Sequence, residues 1–326
     1  MKQTFSWRKL GHVFVADGRY SWMKHYGQVP TAIDLGDRLR VYFSCRPDPE
    51  RDGDQTSYTT FLDVDRKDPT SILYVSSVPV MPLGELGTFD QFGVMPCCVI
   101  REGNLLYLYY VGWSRSRPIP WQAAIGMAIS TNNGESFDRI GQGPIISKSP
   151  NEPFVHGSPW VMKLSDGNFR MWYLSGIRWV NTDSKSESIY RLMTATSTNG
   201  INWDREGRGC IEQISEDECQ ARPAVVFLNG QYHMWFSSRC GVDFRNPSRG
   251  YNIGYASSHD GVLWARNDAL GGLRRSQAGW DSEMISYPNI IRVDDRILCF
   301  YCGNMMGRSG FGVAEMDDSA LGTSDV

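Results

Sequence analysis

Five times along the chain one phrase returns: a polar lead, a proline, a short apolar strand, a tight turn, an aromatic strand and a polar exit. It reads GQVPTAIDLGDRLRVYFSCR around Pro30, GVMPCCVIREGNLLYLYYVGW around Pro96 and HGSPWVMKLSDGNFRMWYLSG around Pro159. It reads ECQARPAVVFLNGQYHMWFSSR around Pro223 and ISYPNIIRVDDRILCFYCGN around Pro288. Successive prolines stand 66, 63, 64 and 65 residues apart. A fixed period of that size marks an array of similar supersecondary units. In the fourth phrase Asn229-Gly230 lies between two apolar runs, a strong hairpin signal because both residue types accept positive φ.

A second pattern follows the second, third and fourth phrases. Ser130-Thr-Asn-Asn-Gly134-Glu-Ser-Phe137, Ser197-Thr-Asn-Gly200-Ile-Asn-Trp203 and Ser258-His-Asp-Gly261-Val-Leu-Trp264 each join a small-residue strand to an aromatic through an Asn/Asp-Gly turn. These read as hairpin tips ahead of an outer strand, and not as ligand sites. Helical periodicity is nearly absent. The expected fold is therefore all-β: five four-stranded antiparallel blades around a central channel, a five-bladed β-propeller spanning 1–326 as a single domain. The blades begin near Pro30, Pro96, Pro159, Pro223 and Pro288, and an alternating N-terminal strand at about 5–15 closes the ring, hiding sheet edges. A further strand is expected over ILYVSSVPVM at 72–81.

Charged residues make up 21% and the formal net charge is −3, so no basic field argues for nucleic acid or an anionic membrane. The opening MKQTFSWRKLGHVFV lacks a signal-peptide pattern, and no apolar run is long enough to span a bilayer. A cytoplasmic protein is expected. The eight cysteines read as buried thiols. Cys299-x-x-Cys302 fails as a metal pair, because their odd separation on a strand points the sulfurs to opposite faces and no second pair matches. No metal or cofactor is expected, and NTP-binding, serine-hydrolase and zincin motifs are absent.

In a propeller the first strand of each blade lines the channel, so residues just ahead of the five prolines converge on one mouth. The pre-proline positions hold Val29, Met95, Ser158, Arg222 and Tyr287. Nearby stand Tyr26, Gln28, Asp90, His156, Glu218 and Glu283, while the second strands end near Arg46, Trp113 and Arg239. Carboxylates beside aromatic platforms suit acid/base chemistry on a sugar, in which one acid protonates the leaving oxygen. Arginines in number suit a carboxylate or phosphate, whose oxygens match the guanidinium fork.

With these phrases, above all TFDQFGVMPCCVIREGNLLYLYYVG, IGMAISTNNGESFDR and YNIGYASSHDGVLW, the chain resembles the five-bladed propellers of glycoside hydrolase families 32, 43, 62 and 68 and the related phosphorylase family 130. The likeness covers nearly the whole chain. It implies a glycan-active, glycosidase-like enzyme acting on a small sugar or glycoconjugate, acidic or neutral. Glu218 is then expected as the general acid, and Asp90 or Glu283 as base or nucleophile. Arg46, Arg222, Arg239, His156, Tyr287, Trp113, Tyr26, Gln28 and Ser158 are expected to bind the substrate. The chain departs from the family where an Asp usually precedes the first-blade proline, since Val29 stands there. Two alternatives stay open: a non-catalytic propeller that binds a sugar or sugar acid, and a phosphorylase or glycosyltransferase on the same scaffold.

Overall fold

The structure is a computed structural model that describes residues 4–50, 55–183 and 185–317, so the ends of the 1–326 span lie outside the described residues. Strand β1 (Trp7–Phe14) precedes a first blade of β2 (His25–Asp34), β3 (Arg38–Arg46), β4 (Tyr58–Asp65) and β5 (Ile72–Val75). The second comprises β6 (Gly93–Glu102), β7 (Leu105–Arg115), β8 (Trp121–Ser130) and β9 (Asp138–Arg139). The third comprises β10 (His156–Lys163), β11 (Phe169–Asn181), β12 (Ser186–Ser197) and β13 (Asp204–Gly209). The fourth comprises β14 (Glu218–Leu228), β15 (Gln231–Cys240), β16 (Asn252–Ser258) and β17 (Ala265–Arg266). The fifth has β18 (Ser286–Val293), β19 (Arg296–Cys302) and β20 (Phe311–Met316), and β1 adds its outer strand with Trp7 opposite Met316.

All five sheets are four-stranded and antiparallel, and their first strands touch in turn around one axis. The fold is an all-β, five-bladed propeller. Asn229 and Gly230 both take positive φ (50° and 74°), as a tight hairpin requires. The three serine-led tips behave alike. Ser130, Ser197 and Ser258 accept from the amides of Gly134, Gly200 and Gly261 at 2.8–2.9 Å. Each tip then docks on the preceding blade. Tyr42 donates to the Gly134 carbonyl (2.9 Å), Tyr109 to that of Gly200 (3.0 Å) and the Trp172 indole to that of Gly261 (2.9 Å). The expected strand at 72–81 is shorter than its apolar pattern: β5 stops at Val75, where Ser76 turns the chain through its hydroxyl onto the Val78 carbonyl (2.8 Å). Among the described residues no helix is long and apolar enough to cross a membrane.

Acid–base clasps hold four of the blades. In the second, buried Asp90 from the lead into β6 accepts from Tyr110 on β7 (3.0 Å) and Arg139 on β9 (2.7 Å). In the third, Glu152 accepts from Tyr173 on β11 (2.9 Å) and lies 3.8 Å from Arg205 on β13. In the fourth, Glu218 pairs with Arg266 on β17 (2.9 Å); Phe236 replaces the tyrosine, and Ser238 donates to the acid instead. In the fifth, Asp281 accepts from Tyr301 on β19 (2.9 Å) and from Lys9 on β1 (2.5 Å). Each clasp ties the lead of a first strand to the fourth strand of its blade, with a charged pair that also has hydrogen bonds to meet its remaining lone pairs.

Candidate functional site at the channel mouth

Every first strand breaks register at its proline: between Gln28 and Thr31, Pro96 and Cys98, Gly157 and Trp160, Ala221 and Ala224, and Ser286 and Asn289. The break is a bulge, which re-aims side chains. Four of the five pre-proline residues adopt left-handed backbone: Val29 (φ 49°), Ser158 (49°), Arg222 (51°) and Tyr287 (56°). Such conformations in non-glycine residues are costly and cluster at functional sites. Here they recur at the axis in blade after blade.

Arg222 crosses that axis. Its guanidinium donates to the Pro30 carbonyl (2.9 Å), the Thr31 hydroxyl (2.8 Å) and the Cys97 carbonyl, joining the fourth blade to the first and second. The side chain is 0% exposed, and its Nε has no partner. Arg46, at the end of β3, lies with its guanidinium 4.8 Å from the Tyr26 ring centre, and its buried Nε is also unpartnered. Arg239, at the end of β15, is enclosed by the rings of Phe244 (3.7 Å), Tyr190 (5.1 Å) and Tyr251 (5.4 Å). It donates to the Tyr190 hydroxyl (3.0 Å) and to the Cys240 and Gly241 carbonyls.

None of these three arginines forms an ion pair among the described residues, whereas Arg139 and Arg266 each do. Burial pushes the pKa of Arg46 and of Arg222 below the ordinary arginine value, there being no acid to offset it. For Arg239 burial also works against the charge, but the Tyr190 and Tyr251 phenols and the Cys219 thiol outweigh it and the pKa rises. Tyr287 sits among all three. It lies within Coulombic reach of each guanidinium, and its ring packs 5.3 Å from that of Tyr251, which shares a 2.5 Å hydrogen bond with Tyr190. Burial, with Tyr251 and Cys302 beside it, pushes the Tyr287 phenol well above its usual pKa, so it stays protonated and can donate.

The other expected residues are placed unequally. Trp113 stands over Gly93, where a Cβ would fall 1.6 Å from the indole nitrogen. Gln28 donates to the Met306 carbonyl (2.6 Å) and leaves its buried oxygen unpartnered. Ser158 is half-buried within its bulge. His156 is fully buried and belongs to the third clasp, with Nε2 3.2 Å from Glu152 and Nδ1 unpartnered. Glu283 is exposed ahead of β18, and its carboxylate makes no ion pair among the described residues.

Asp90 and Glu218 are not brought together as a pair at the mouth. Both carboxylates turn toward the outer strand of their own blade. Asp90 is packed so closely over β7 that a Cβ on Gly112 would lie 2.5 Å from its own Cβ. The pre-proline ring itself holds no carboxylate. Tyr190, Tyr251, Phe244 and the clasp bases are additions that the sequence reading lacked. The clasp bases had a signal: Phe137-Asp138-Arg139, Trp203-Asp204-Arg205 and Trp264-Ala265-Arg266 put an arginine two residues after the same aromatic in three blades.

Solved structures share this five-bladed fold. A structure named "Glycoside hydrolase" superposes at TM-score 0.74 with 16% identity, over 99% of this chain and 94% of its own. A member of glycoside hydrolase family 130, titled for β-1,2-mannosidic linkages in Candida mannan, gives 0.71 at 14% identity over 96% and 94%. A family 43 enzyme from Xanthomonas citri complexed with xylose gives 0.61 at 15% over 96% and 89%. No family model matches the chain. The chain belongs to the family of uncharacterized protein Rv1502 of Mycobacterium tuberculosis, with which it shares 33% identity over 315 residues, 96% of this chain and 100% of the relative.

Proposed function

We propose that the channel mouth binds an acidic saccharide, one carrying a carboxylate or phosphate, and that Arg46 is its principal anchor. The observation that carries this reading is the set of three arginines around Tyr287, Arg222 and Arg239 buried and Arg46 half-buried, that have no acid partner among the described residues. A buried charge left unpaired is expensive, and an anionic ligand supplies the missing counter-charge. Of the three, Arg46 makes no side-chain hydrogen bond among the described residues, so its fork is open to a bidentate oxyanion. Tyr26, Trp113 and Tyr287 offer ring faces, and Gln28 and Ser158 offer polar groups for sugar hydroxyls. Eight free cysteines, seven of them buried, favour a reducing compartment and so the cytoplasm.

The ring's lack of carboxylates favours recognition of the anion over hydrolysis by an axial acid pair. A second reading keeps turnover, because Glu283 remains an unpaired acid beside the mouth; it would serve as the proton donor or acceptor. Calorimetric titration with glucuronate, glucose 1-phosphate and glucose tests the first reading. Saturable binding of either acid and none of glucose is expected, with Arg46→Ala weakening it by about 10- to 100-fold, the ~1.5–3 kcal/mol of a hydrogen bond to a charged group. Equal binding of glucose, or none of any, would sink it. Release of nitrophenol from acidic and neutral nitrophenyl glycosides, with and without phosphate, decides turnover, and an unchanged rate in Glu283→Gln would remove Glu283 from it.

A further inference from the structure

Outside the arginine cluster, the lead into β6 and the end of β7 border a cleft of about 690 Å³ on the mouth end of the second blade. That volume is within the ~300–1,000 Å³ usual for small-molecule sites. Its lining is uncharged save for Arg115, whose charge is already met by Glu50 at 2.6 Å. Three glutamines face it, from three separate segments: Gln91 before β6, Gln122 on β8 and Gln142 beyond β9. Gln142 is exposed, and neither its side chain nor the Ser114 hydroxyl makes a hydrogen bond among the described residues. Gln91 uses only its oxygen, on the Gly87 amide (2.9 Å), which leaves both amide protons free.

Two half-exposed rings complete the cleft. Phe92 carries the Arg115 guanidinium 4.0 Å from its centre, and Phe89 stacks on Tyr110 at 5.9 Å. An amide both donates and accepts, as does a sugar hydroxyl, and an electron-rich ring face receives the polarised C–H face of a pyranose. Gln122 is already engaged, donating to Ser116 (3.4 Å) and accepting from Lys148 (2.8 Å), so the free polar groups are those of Gln91 and Gln142, which a purely apolar ligand would leave unmet. Along the backbone the cleft's lining borders Trp113. Phe92 donates its amide to the Trp113 carbonyl (3.2 Å), and the next residue, Gly93, begins β6 beneath the Trp113 indole.

We propose that this cleft is a second saccharide subsite, which takes a neutral sugar unit of a longer chain whose acidic unit sits at the arginines. The choice of ligand class rests on the glycan reading of the mouth; the cleft's own contacts do not involve the arginines. The test is a titration of protein labelled with ¹⁵N in its glutamine side chains, using cellotriose, xylotriose, mannotriose and maltotriose in turn. One of them is expected to shift the Gln91, Gln122 and Gln142 amide resonances saturably. Gln142→Ala, an exposed change that leaves the fold intact, should weaken that binding about fivefold, as loss of one ordinary hydrogen bond does. Arg46→Ala should leave it unchanged. The proposal is overturned if no trisaccharide moves these resonances, or if affinity is the same in Gln142→Ala and in Gln91→Ala/Gln142→Ala. Failure of glucuronate to bind the same sample would instead count against the acidic reading of the mouth, so the two failures are told apart.

Discussion

Within the blades, a buried carboxylate meets a basic side chain and, in three of the four clasps, a tyrosine hydroxyl: Asp90 with Arg139, Glu152 with Arg205, Glu218 with Arg266, Asp281 with Lys9. At the mouth, buried Arg222 and Arg239 and half-buried Arg46 meet carbonyls, hydroxyls and aromatic rings, and no acid among the described residues. The same residue types are thus spent in opposite ways. A pair complete in itself stabilises the blade and has nothing left to offer a ligand. A buried charge with no partner weakens the fold, and such a defect is tolerated where a ligand completes it.

The largest expected effect separates the two regions most sharply. Asp90→Ala strips the acceptor from Tyr110 and Arg139 and should cost about 3–5 kcal/mol in urea unfolding, the price of breaking a buried pair. The folded fraction should still bind glucuronate as the parent does. A stable variant that had lost binding would move Asp90 to the mouth, and the contrast between the regions would collapse.

Next in size is Arg46→Met. Stability should hold or rise, since a half-buried charge with no acid partner among the described residues gives way to an apolar chain of similar length. Glucuronate binding should fall by about 10- to 100-fold, or ~1.5–3 kcal/mol. A loss of stability on the scale of Asp90→Ala would show that Arg46 works as a clasp base does.

Tyr251→Phe probes the support behind the arginines. It removes the 2.5 Å bond to Tyr190, whose hydroxyl also accepts from Arg239. About 1 kcal/mol of stability should go, with a smaller loss of glucuronate affinity than in Arg46→Met, as calorimetry and urea unfolding would measure. An affinity loss as large as that of Arg46→Met would make Tyr251 itself a ligand contact.

How much of this was readable beforehand follows from what repeats. Proline spacing and Asn/Asp-Gly turns are scaffold grammar, present in several blades, so periodicity alone yields the propeller and its hairpins. The site rests on positions that differ between blades, and there residue type is a poor guide to partner. Glu218 and Asp90 read as sugar-active acids from the chain alone, and their bonds to Arg266 and Arg139, 48 and 49 residues further on, are visible only in the fold. The aromatic-x-Arg signal was present in the chain, but it identifies a clasp only once the fourth strand is known to lie over the lead of the first. Arg46 and Arg239 were legible as rim residues; their lack of an acid partner was not, because it depends on every neighbour the fold supplies.

The smallest effect is one of pH, and it asks whether the two regions titrate independently. His233, on β15, is 8% exposed among the rings of Phe5, Trp235 and Tyr255, with Nδ1 2.7 Å from the Tyr255 hydroxyl. Burial holds its pKa below the usual 6.5. The folded chain therefore favours neutral imidazole, and below about pH 6.5 the unfolded chain binds the extra proton more readily. Stability is full above pH 6.5 and declines as pH falls from there toward the folded-state value. Thermal melts from pH 8 to 5.5 should show that decline, and His233→Gln should flatten it. Arginines stay charged throughout this range and a sugar carboxylate stays ionised, so glucuronate affinity should be level over the same interval. If affinity fell in step with the melting temperature and levelled again in His233→Gln, the mouth would be coupled to the packing of the fourth blade, and blades and mouth could no longer be treated as separate devices.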